Sequence, residues 1–179
     1  GDGLSVAWAP DGESLVFAAT DSADAGARPM VLSSIWQIPV AGGEPKRLGA
    51  DGLDASAPRF SPDGKTLCFT ATDGKAAIYA VSRIACAAWP IAGQPVRMLT
   101  KDLDRPVGSW AFTPDSKSIY LTAEDAGHEK VYSVPAAGGS TTLVLPLVPC
   151  LMLSTTPYPF QQNPSLGSSC EAVLAGIAG

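Results

Sequence analysis

The chain has 179 residues, enough for one domain with a substantial buried core. Its 18 glycines and 16 prolines favour many turns between short strands over long helices. A formal net charge of −5 and a pI near 4.7 leave no basic surface for a nucleic-acid backbone, so nucleic-acid binding is excluded.

The apolar and cysteine patterns argue against a transmembrane helix and against a zinc site. The longest apolar stretch, residues 143–153, is short and contains two prolines, so no transmembrane helix is expected. No signal-peptide pattern begins at Gly1, so we expect any such peptide to have been removed or not included. The cysteines lack a CxxC pair, which argues against zinc and leaves the redox compartment undecided; they are Cys68, Cys86, Cys150 and Cys170. Among compartments, we favour the bacterial periplasm or secretion.

A ten-residue motif occurs three times along the chain. The copies are residues 8–17 (WAPDGESLVF), 60–69 (FSPDGKTLCF) and 112–121 (FTPDSKSIYL), with prolines Pro10, Pro62 and Pro114 spaced 52 residues apart. Each copy predicts two strands joined by a Pro-Asp-Gly turn, in which proline presets φ and glycine adopts positive φ. Ser116 replaces the glycine of the third turn, where we expect mild strain.

Each copy is followed by two more predicted strands. The third strands are residues 35–40, 78–81 and 131–135, with aromatic residues Trp36, Tyr79 and Tyr132, and the closing strands are 46–48, 96–99 and 142–145. The second strands are apolar on both sides of the pleat, which indicates burial on both faces. The sequence therefore predicts an all-β partial propeller of three four-stranded antiparallel blades, at about residues 1–49, 50–100 and 101–145.

Two segments interrupt the regular repeat. Residues 21–33 are rich in Ala, Asp and Gly and predict an exposed loop in the first blade. Residues 83–91 are interpreted as an insertion in the second blade that contains Cys86 and Trp89. Trp89 either anchors another domain or covers the edge of its own blade, and we prefer the second interpretation.

The tail, residues 146–179, differs from the rest of the chain because it contains a single charge, Glu171. A further Pro-Asp-Gly turn is due near position 166, where residues 163–167 are NPSLG. The tail is either the degenerate opening of a fourth blade or a truncated or mis-framed end, which we expect to be poorly ordered. Propellers close at four to eight blades, so three blades are expected to be a fragment of a larger ring.

The repeat resembles the WD40-like blades of two groups of proteins. The pattern at residues 60–71 (FSPDGKTLCFTA) and 78–81 (IYAV) is similar to TolB-type periplasmic propellers and to the N-terminal propeller of the prolyl oligopeptidase family of serine peptidases, in its acylaminoacyl- and dipeptidyl-peptidase branch. Residues 103–106 (LDRP), ahead of Trp110, and residues 119–135 favour the peptidase. The resemblance covers residues 6–145.

In that family a C-terminal α/β-hydrolase domain carries the Ser-Asp-His triad, and the propeller caps it and admits short peptides. The resemblance implies a gating or docking propeller fragment, not catalytic by itself. Its partners would be the hydrolase domain or further blades, and short peptides would reach the parent enzyme. The alternative is a TolB-like periplasmic propeller that binds proteins.

Residues for catalysis are not evident in the chain itself. No G-x-S-x-G nucleophile elbow occurs, and the only histidine, His128, is expected in a surface hairpin. Cys68 is interpreted as a small buried hydrophobic residue. We therefore predict no catalytic, cofactor-binding or metal-binding residues in this chain, although the parent protein is expected to be a serine peptidase.

Acidic residues occur in pairs between the blades and in one hairpin. Asp51 with Asp54, and Asp102 with Asp104, are too few for a calcium loop and are interpreted as solvated turn residues. The dipeptidyl branch holds the substrate amino terminus with propeller glutamates. Glu124 and Glu129 occupy hairpin positions without a motif that transfers this role, so they stay unassigned.

Overall fold

The computed structural model describes residues 5–20, 32–74, 80–91 and 95–145. These residues form twelve strands and no helix, so none of them belongs to a helix that could cross a membrane. The strands are β1 (Val6–Trp8), β2 (Ser14–Ala19), β3 (Ser34–Pro39), β4 (Lys46–Arg47), β5 (Leu53–Phe60), β6 (Thr66–Asp73), β7 (Arg83–Ala88), β8 (Arg97–Met98), β9 (Trp110–Phe112), β10 (Ser118–Asp125), β11 (His128–Pro135) and β12 (Thr142–Leu145).

The strands form three four-stranded antiparallel sheets, each in simple up-and-down order. We call β1–β4 blade 1, β5–β8 blade 2 and β9–β12 blade 3. Strand β1 packs against β5, and Arg59 of β5 reaches Trp110 of β9, so the first strands of the blades converge at the inner edge. The predicted partial propeller of three blades is confirmed.

The middle blade is buried on both faces because its second strand alternates between two hydrophobic clusters. Leu67 and Phe69 lie in a cluster shared with Val16 and Ile35 of blade 1. Cys68 points the other way, into a cluster that contains Leu121 of blade 3. All six side chains are at most 1% exposed. Alternation along a strand thus explains why a continuous apolar run is needed here.

The third strand of blade 2 is not where the sequence predicted it. Residues 80–82 lie outside any strand, and β7 is formed by Arg83–Ala88, which had been interpreted as part of an insertion. Its residues from Ile84 to Ala87 are fully buried. The segment at residues 78–81 resembles the other third strands only in its sequence. Burial on both faces selected the strand, so the extra residues precede β7. Tyr79 lies outside the described residues.

The tight turns of neighbouring blades pack directly on each other. Gly12 and Gly64 both have positive φ, as their turn position requires. A Cβ added at Gly64 would lie 2.8 Å from the Cβ of Pro10, whereas a Cβ added at Gly12 would meet nothing within 4 Å. Glycine at position 64 therefore serves both the backbone conformation and the contact between blades 1 and 2.

This difference makes the two turn glycines a matched pair for mutagenesis. Gly12→Ala is expected to cost about 1 kcal/mol of unfolding free energy, because φ remains left-handed. Gly64→Ala adds the overlap with Pro10, for a further loss of about 2 kcal/mol. Urea unfolding of both variants measures the difference. Equal losses would show that the packing of Pro10 on Gly64 contributes nothing.

The third turn has the strained backbone conformation that was expected, and the side chain of its Ser116 contacts the neighbouring turn. Ser116 has φ 63°, in the left-handed region that favours glycine. Its Oγ accepts a hydrogen bond of 3.0 Å from the backbone N–H of Asp63 in the turn of blade 2. A side chain at this position therefore links blades 2 and 3, which glycine could not do.

Three predictions stay untested. Most of the predicted loop of blade 1, at residues 21–31, and the whole tail, residues 146–179, lie outside the described residues. The blade boundaries near residues 49 and 100 also remain predictions.

Candidate functional site

A cation–aromatic contact joins blades 2 and 3 at the inner edge. The Arg59 guanidinium lies 5.3 Å from the centre of the Trp110 ring, and its Nη1 donates a 2.9 Å hydrogen bond to the Trp110 carbonyl. The Trp110 indole N–H in turn donates to Oγ1 of Thr70 at 3.1 Å. Trp110 is only 5% exposed. The contact therefore anchors the first strand of blade 3 on blade 2 while leaving Arg59 exposed.

Beside this contact lies an open hollow of about 360 Å³, lined by blade 3 and by Arg59 of blade 2. Its lining residues are Arg59, Ser109, Trp110, Ala111, Tyr120, Leu121, Thr122 and Val131. They provide an apolar floor, hydroxyl groups and one guanidinium, with no carboxylate, thiol or imidazole. This chemistry suits binding, and it offers neither an activated nucleophile nor a base.

The β10–β11 hairpin carries the acidic residues left unassigned by the sequence. Asp125 forms ion pairs with Arg105 at 2.8 Å and with Lys130 at 2.6 Å. The hydrogen bond from Lys130, with the charge of Arg105, lowers the pKa of Asp125. Glu124 and Glu129 stand opposite each other across the hairpin. The ion pair of Asp125 with Arg105 therefore ties the hairpin to the link that precedes blade 3.

His128 is the first residue of β11, paired with Asp125, and its side chain is exposed. This agrees with the interpretation of a surface histidine.

The carboxylates at the blade junctions do not form one cluster. Exposed Asp51 lies 3.3 Å from Arg47, whereas Asp54 lies inside β5 and accepts a 2.8 Å hydrogen bond from the backbone N–H of Ser33 in blade 1. Asp104 is exposed. The interpretation as a turn residue is therefore wrong for Asp54, which links two blades. Within the described part of the chain, no three His, Cys, Asp or Glu side chains are grouped as a metal site would require.

Asp102 connects the link after blade 2 to the last strand of blade 3. Its carboxylate accepts hydrogen bonds from the backbone N–H of Thr141 at 2.7 Å and from the Thr141 hydroxyl at 2.8 Å. These two bonds, the backbone one first, lower the pKa of Asp102 below its usual value. The stabilisation is present above the pKa of the unfolded chain and is lost as the pH falls through the lowered folded value.

Replacement of Asp102 by alanine is therefore expected to lower the free energy of unfolding at neutral pH, and the difference from the natural chain should shrink towards about pH 2. Urea unfolding at both pH values measures this. The matched control is Asp104→Ala, an exposed carboxylate two residues along the chain, for which we expect a smaller change. A loss at Asp102 that is the same at both pH values would contradict the assignment.

Cys68 is buried, as predicted, but it is not a free hydrophobic residue. It forms a disulfide with Cys86, the residue directly opposite it in β7. The bond was not expected from the sequence, because the third strand was predicted at residues 78–81 and Cys86 was predicted to lie in an insertion. Once β7 is placed at Arg83–Ala88, the register brings the two cysteines together.

Trp89 follows β7 and covers its own blade. It is half-buried and meets the ring of Phe60 edge to face, with 4.9 Å between centres. Both rings pack against the cluster between blades 1 and 2. The contacts of Trp89 agree with the preferred interpretation.

No protein-family model matches the chain. Among curated proteins, it is 28% identical over 116 residues to "Tricorn protease homolog 1" of Streptomyces coelicolor. The alignment covers 63% of this chain and 9% of that protein. The chain thus spans less than a tenth of the length of the curated relative that it matches.

Solved structures share the fold. TolB from Acinetobacter baumannii superposes with a TM-score of 0.57 at 23% identity, covering 80% of this chain and 32% of that one. A puromycin-hydrolyzing peptidase of Mycobacterium tuberculosis gives 0.60 at 19% identity, with 80% and 24% covered. The tricorn protease gives 0.53 at 14% identity, with 73% and 13% covered.

These similarities define the chain as part of a β-propeller. The predicted resemblance, to propellers of peptidases with TolB as the alternative, is confirmed. In every case the chain covers less than half of the other protein.

Proposed function

We propose that the chain is the gating or docking propeller part of a prolyl oligopeptidase-like serine peptidase and contributes no catalytic residue itself. The observation that carries this proposal is the combination of fold and coverage. The curated relative is named as a protease homolog and one solved neighbour as a peptidase, and the chain matches 9% and 24% of their lengths. A propeller segment of a larger peptidase accounts for both.

The geometry supports a binding role over a chemical one. The sulfur of Cys68 is bonded to Cys86 in the disulfide, so it is not a free thiol. His128 is exposed at the end of a hairpin. The hollow beside Arg59 is lined by apolar side chains, hydroxyl groups and a guanidinium, which suits contact with a peptide or a second domain. The catalytic triad would then belong to an α/β-hydrolase domain, and short peptides would pass the propeller.

We also propose a periplasmic or secreted location, on the basis of the cysteine chemistry. Disulfides persist in oxidising compartments and are rare where thioredoxin and glutathione keep thiols reduced. The buried Cys68–Cys86 bond therefore supports a periplasmic or secreted protein.

Activity labelling tests the proposal in two steps. The purified 179-residue chain is expected to show no labelling by a serine-directed fluorophosphonate and no peptide hydrolysis. The native protein, captured from its source with an antibody to the chain, is expected to carry the label. Mass spectrometry should place that label on a serine in a G-x-S-x-G sequence, in the same polypeptide or in one bound to it. Labelling of any serine in the 179-residue chain would overturn its non-catalytic role.

The second candidate is a TolB-like propeller that binds proteins without catalysis. It is favoured by the similarity to TolB, which at 23% has the higher sequence identity of the two propellers compared at equal coverage. Capture of the native protein without any fluorophosphonate label would favour this candidate and would overturn the peptidase assignment.

A further inference from the structure

The Cys68–Cys86 disulfide joins two strands that are already paired by their backbones. Six residue pairs connect β6 with β7, just as six connect β2 with β3 in blade 1. At the repeat position of Cys68, 52 residues before and after it, blade 1 has Val16 and blade 3 has Tyr120. Neither side chain can form a cross-strand covalent bond, yet both blades have four paired strands. A blade therefore does not need this bond in order to form.

Both cysteine side chains lie on the face of blade 2 that blade 3 covers. Cys68 and Cys86 stand directly opposite each other, so their side chains share one side of the sheet. Both are fully buried in the hydrophobic cluster between blades 2 and 3. The described strands of blade 2 contribute three buried hydrophobic side chains to that cluster, and the third is Ile84. The disulfide therefore forms a large part of the apolar surface on which blade 3 packs.

Blade 3 and the link before it, residues 99–109, cover this surface. Trp110 of blade 3 and Val107 of the link belong to the same cluster as the two cysteines. The Trp110 indole N–H donates to Oγ1 of Thr70, which lies two residues from Cys68 and therefore on the same face of β6. Because the sulfur atoms are buried beneath these side chains, a reductant reaches them only after the cluster has opened.

We propose that the disulfide is a redox-sensitive lock on the junction between blades 2 and 3, which loosens when a dithiol reduces the bond while the blades stay folded. One thiolate of the dithiol attacks a sulfur atom of the bond, and the other cysteine leaves as a thiolate and takes a proton. The second thiol of the reductant then releases the first cysteine. The reductant ends as a disulfide, and Cys68 and Cys86 each gain one hydrogen.

Reduction changes the packing of the junction more than the pairing of the strands. Two thiol sulfur atoms stay a van der Waals distance apart, so they need more room than a bonded pair. Because both side chains are fully buried, neighbours in the cluster between blades 2 and 3 must shift to provide that room. The opposite face of blade 2 carries Leu67 and Phe69, so the packing between blades 1 and 2 should be retained. The proposal does not depend on the peptidase assignment, because the junction lies inside the chain in either case.

Amide hydrogen exchange read by mass spectrometry tests the proposal on the 179-residue chain. Cys150→Ser and Cys170→Ser leave a single pair of cysteines, and the oxidised chain is compared with the chain reduced by dithiothreitol. After reduction we expect exchange about 10-fold faster in peptides covering residues 99–112, and a change below about 2-fold in peptides covering β2 and β3. Equal acceleration in all three blades, no acceleration at residues 99–112, or loss of the strand signal in far-UV circular dichroism would overturn the proposal.

A matched pair of variants shows whether this junction controls access to the bond. Trp110→Ala removes a buried ring from the cluster that covers the sulfur atoms, whereas Phe69→Ala removes a buried ring from the opposite face of blade 2. Both variants keep Cys68 and Cys86. We expect dithiothreitol to reduce the bond about 10-fold faster in Trp110→Ala than in Phe69→Ala, because local opening of the junction exposes it. Alkylation of the released thiols measures both rates. Equal rates would show that the bond is reached only through global unfolding, and the lock would be refuted.

Discussion

Replacement of Trp110 by alanine is expected to lower the free energy of unfolding by about 4 kcal/mol. The indole is 5% exposed, lies in the cluster between blades 2 and 3, and donates a hydrogen bond to Thr70. Its loss leaves a cavity at the junction and removes the ring that Arg59 contacts. Urea unfolding monitored by circular dichroism, at one fixed protein concentration, measures the change.

Two milder variants divide this effect into its parts. Trp110→Phe keeps most of the buried apolar surface but removes the donor to Thr70 Oγ1, for an expected loss of about 1 kcal/mol. Thr70→Val removes the acceptor, and in that background Trp110→Phe should cost less than it does in the natural chain. A loss below about 1 kcal/mol for Trp110→Ala would contradict the assigned packing between blades 2 and 3.

Removal of the Cys68–Cys86 disulfide is expected to cost about 3 kcal/mol, because the bond closes a loop of 18 residues in the unfolded chain. The parent chain has Cys150 and Cys170 both replaced by serine. The experiment compares this parent with a variant of it that also carries Cys68→Ala and Cys86→Ala. That parent leaves a single possible pair. Both unfolding curves are recorded without reductant.

Alkylation followed by mass spectrometry provides the control for the disulfide. In the parent, Cys68 and Cys86 should stay unmodified in denaturant without reductant and become modified after reduction. Both side chains are fully buried, so a native sample should also resist reductant longer than an unfolded one. Modification of both cysteines in unreduced denaturant would show that the bond is absent and would withdraw the support for an oxidising compartment.

The turns and the strands beside them could be predicted because their signals are local. Proline, aspartate and glycine act within four residues of each other, and the 52-residue spacing repeats them. Gly64 and Ser116 show the limit of this knowledge. Their positive φ followed from the turn type, whereas their contacts with Pro10 and Asp63 required neighbouring blades to be brought together.

The candidate site could not be predicted from the sequence. Arg59, Thr70 and Trp110 are separated by 40 to 51 residues from their partners and carry no motif. The hollow is lined by residues of two blades, since Arg59 of blade 2 lies beside residues of β9, β10 and β11.

The sequence by itself determined the repeat, the four-stranded blade and the chemistry of its turns, because strand alternation and turn conformation depend on adjacent residues. Only the tertiary structure decided which segment became β7, because Arg83–Ala88 is selected by burial against blades on both sides. The disulfide followed from that choice, since a cross-strand bond requires the register that places Cys68 opposite Cys86. Contacts between blades are non-local, and no window of the sequence contains both of their sides.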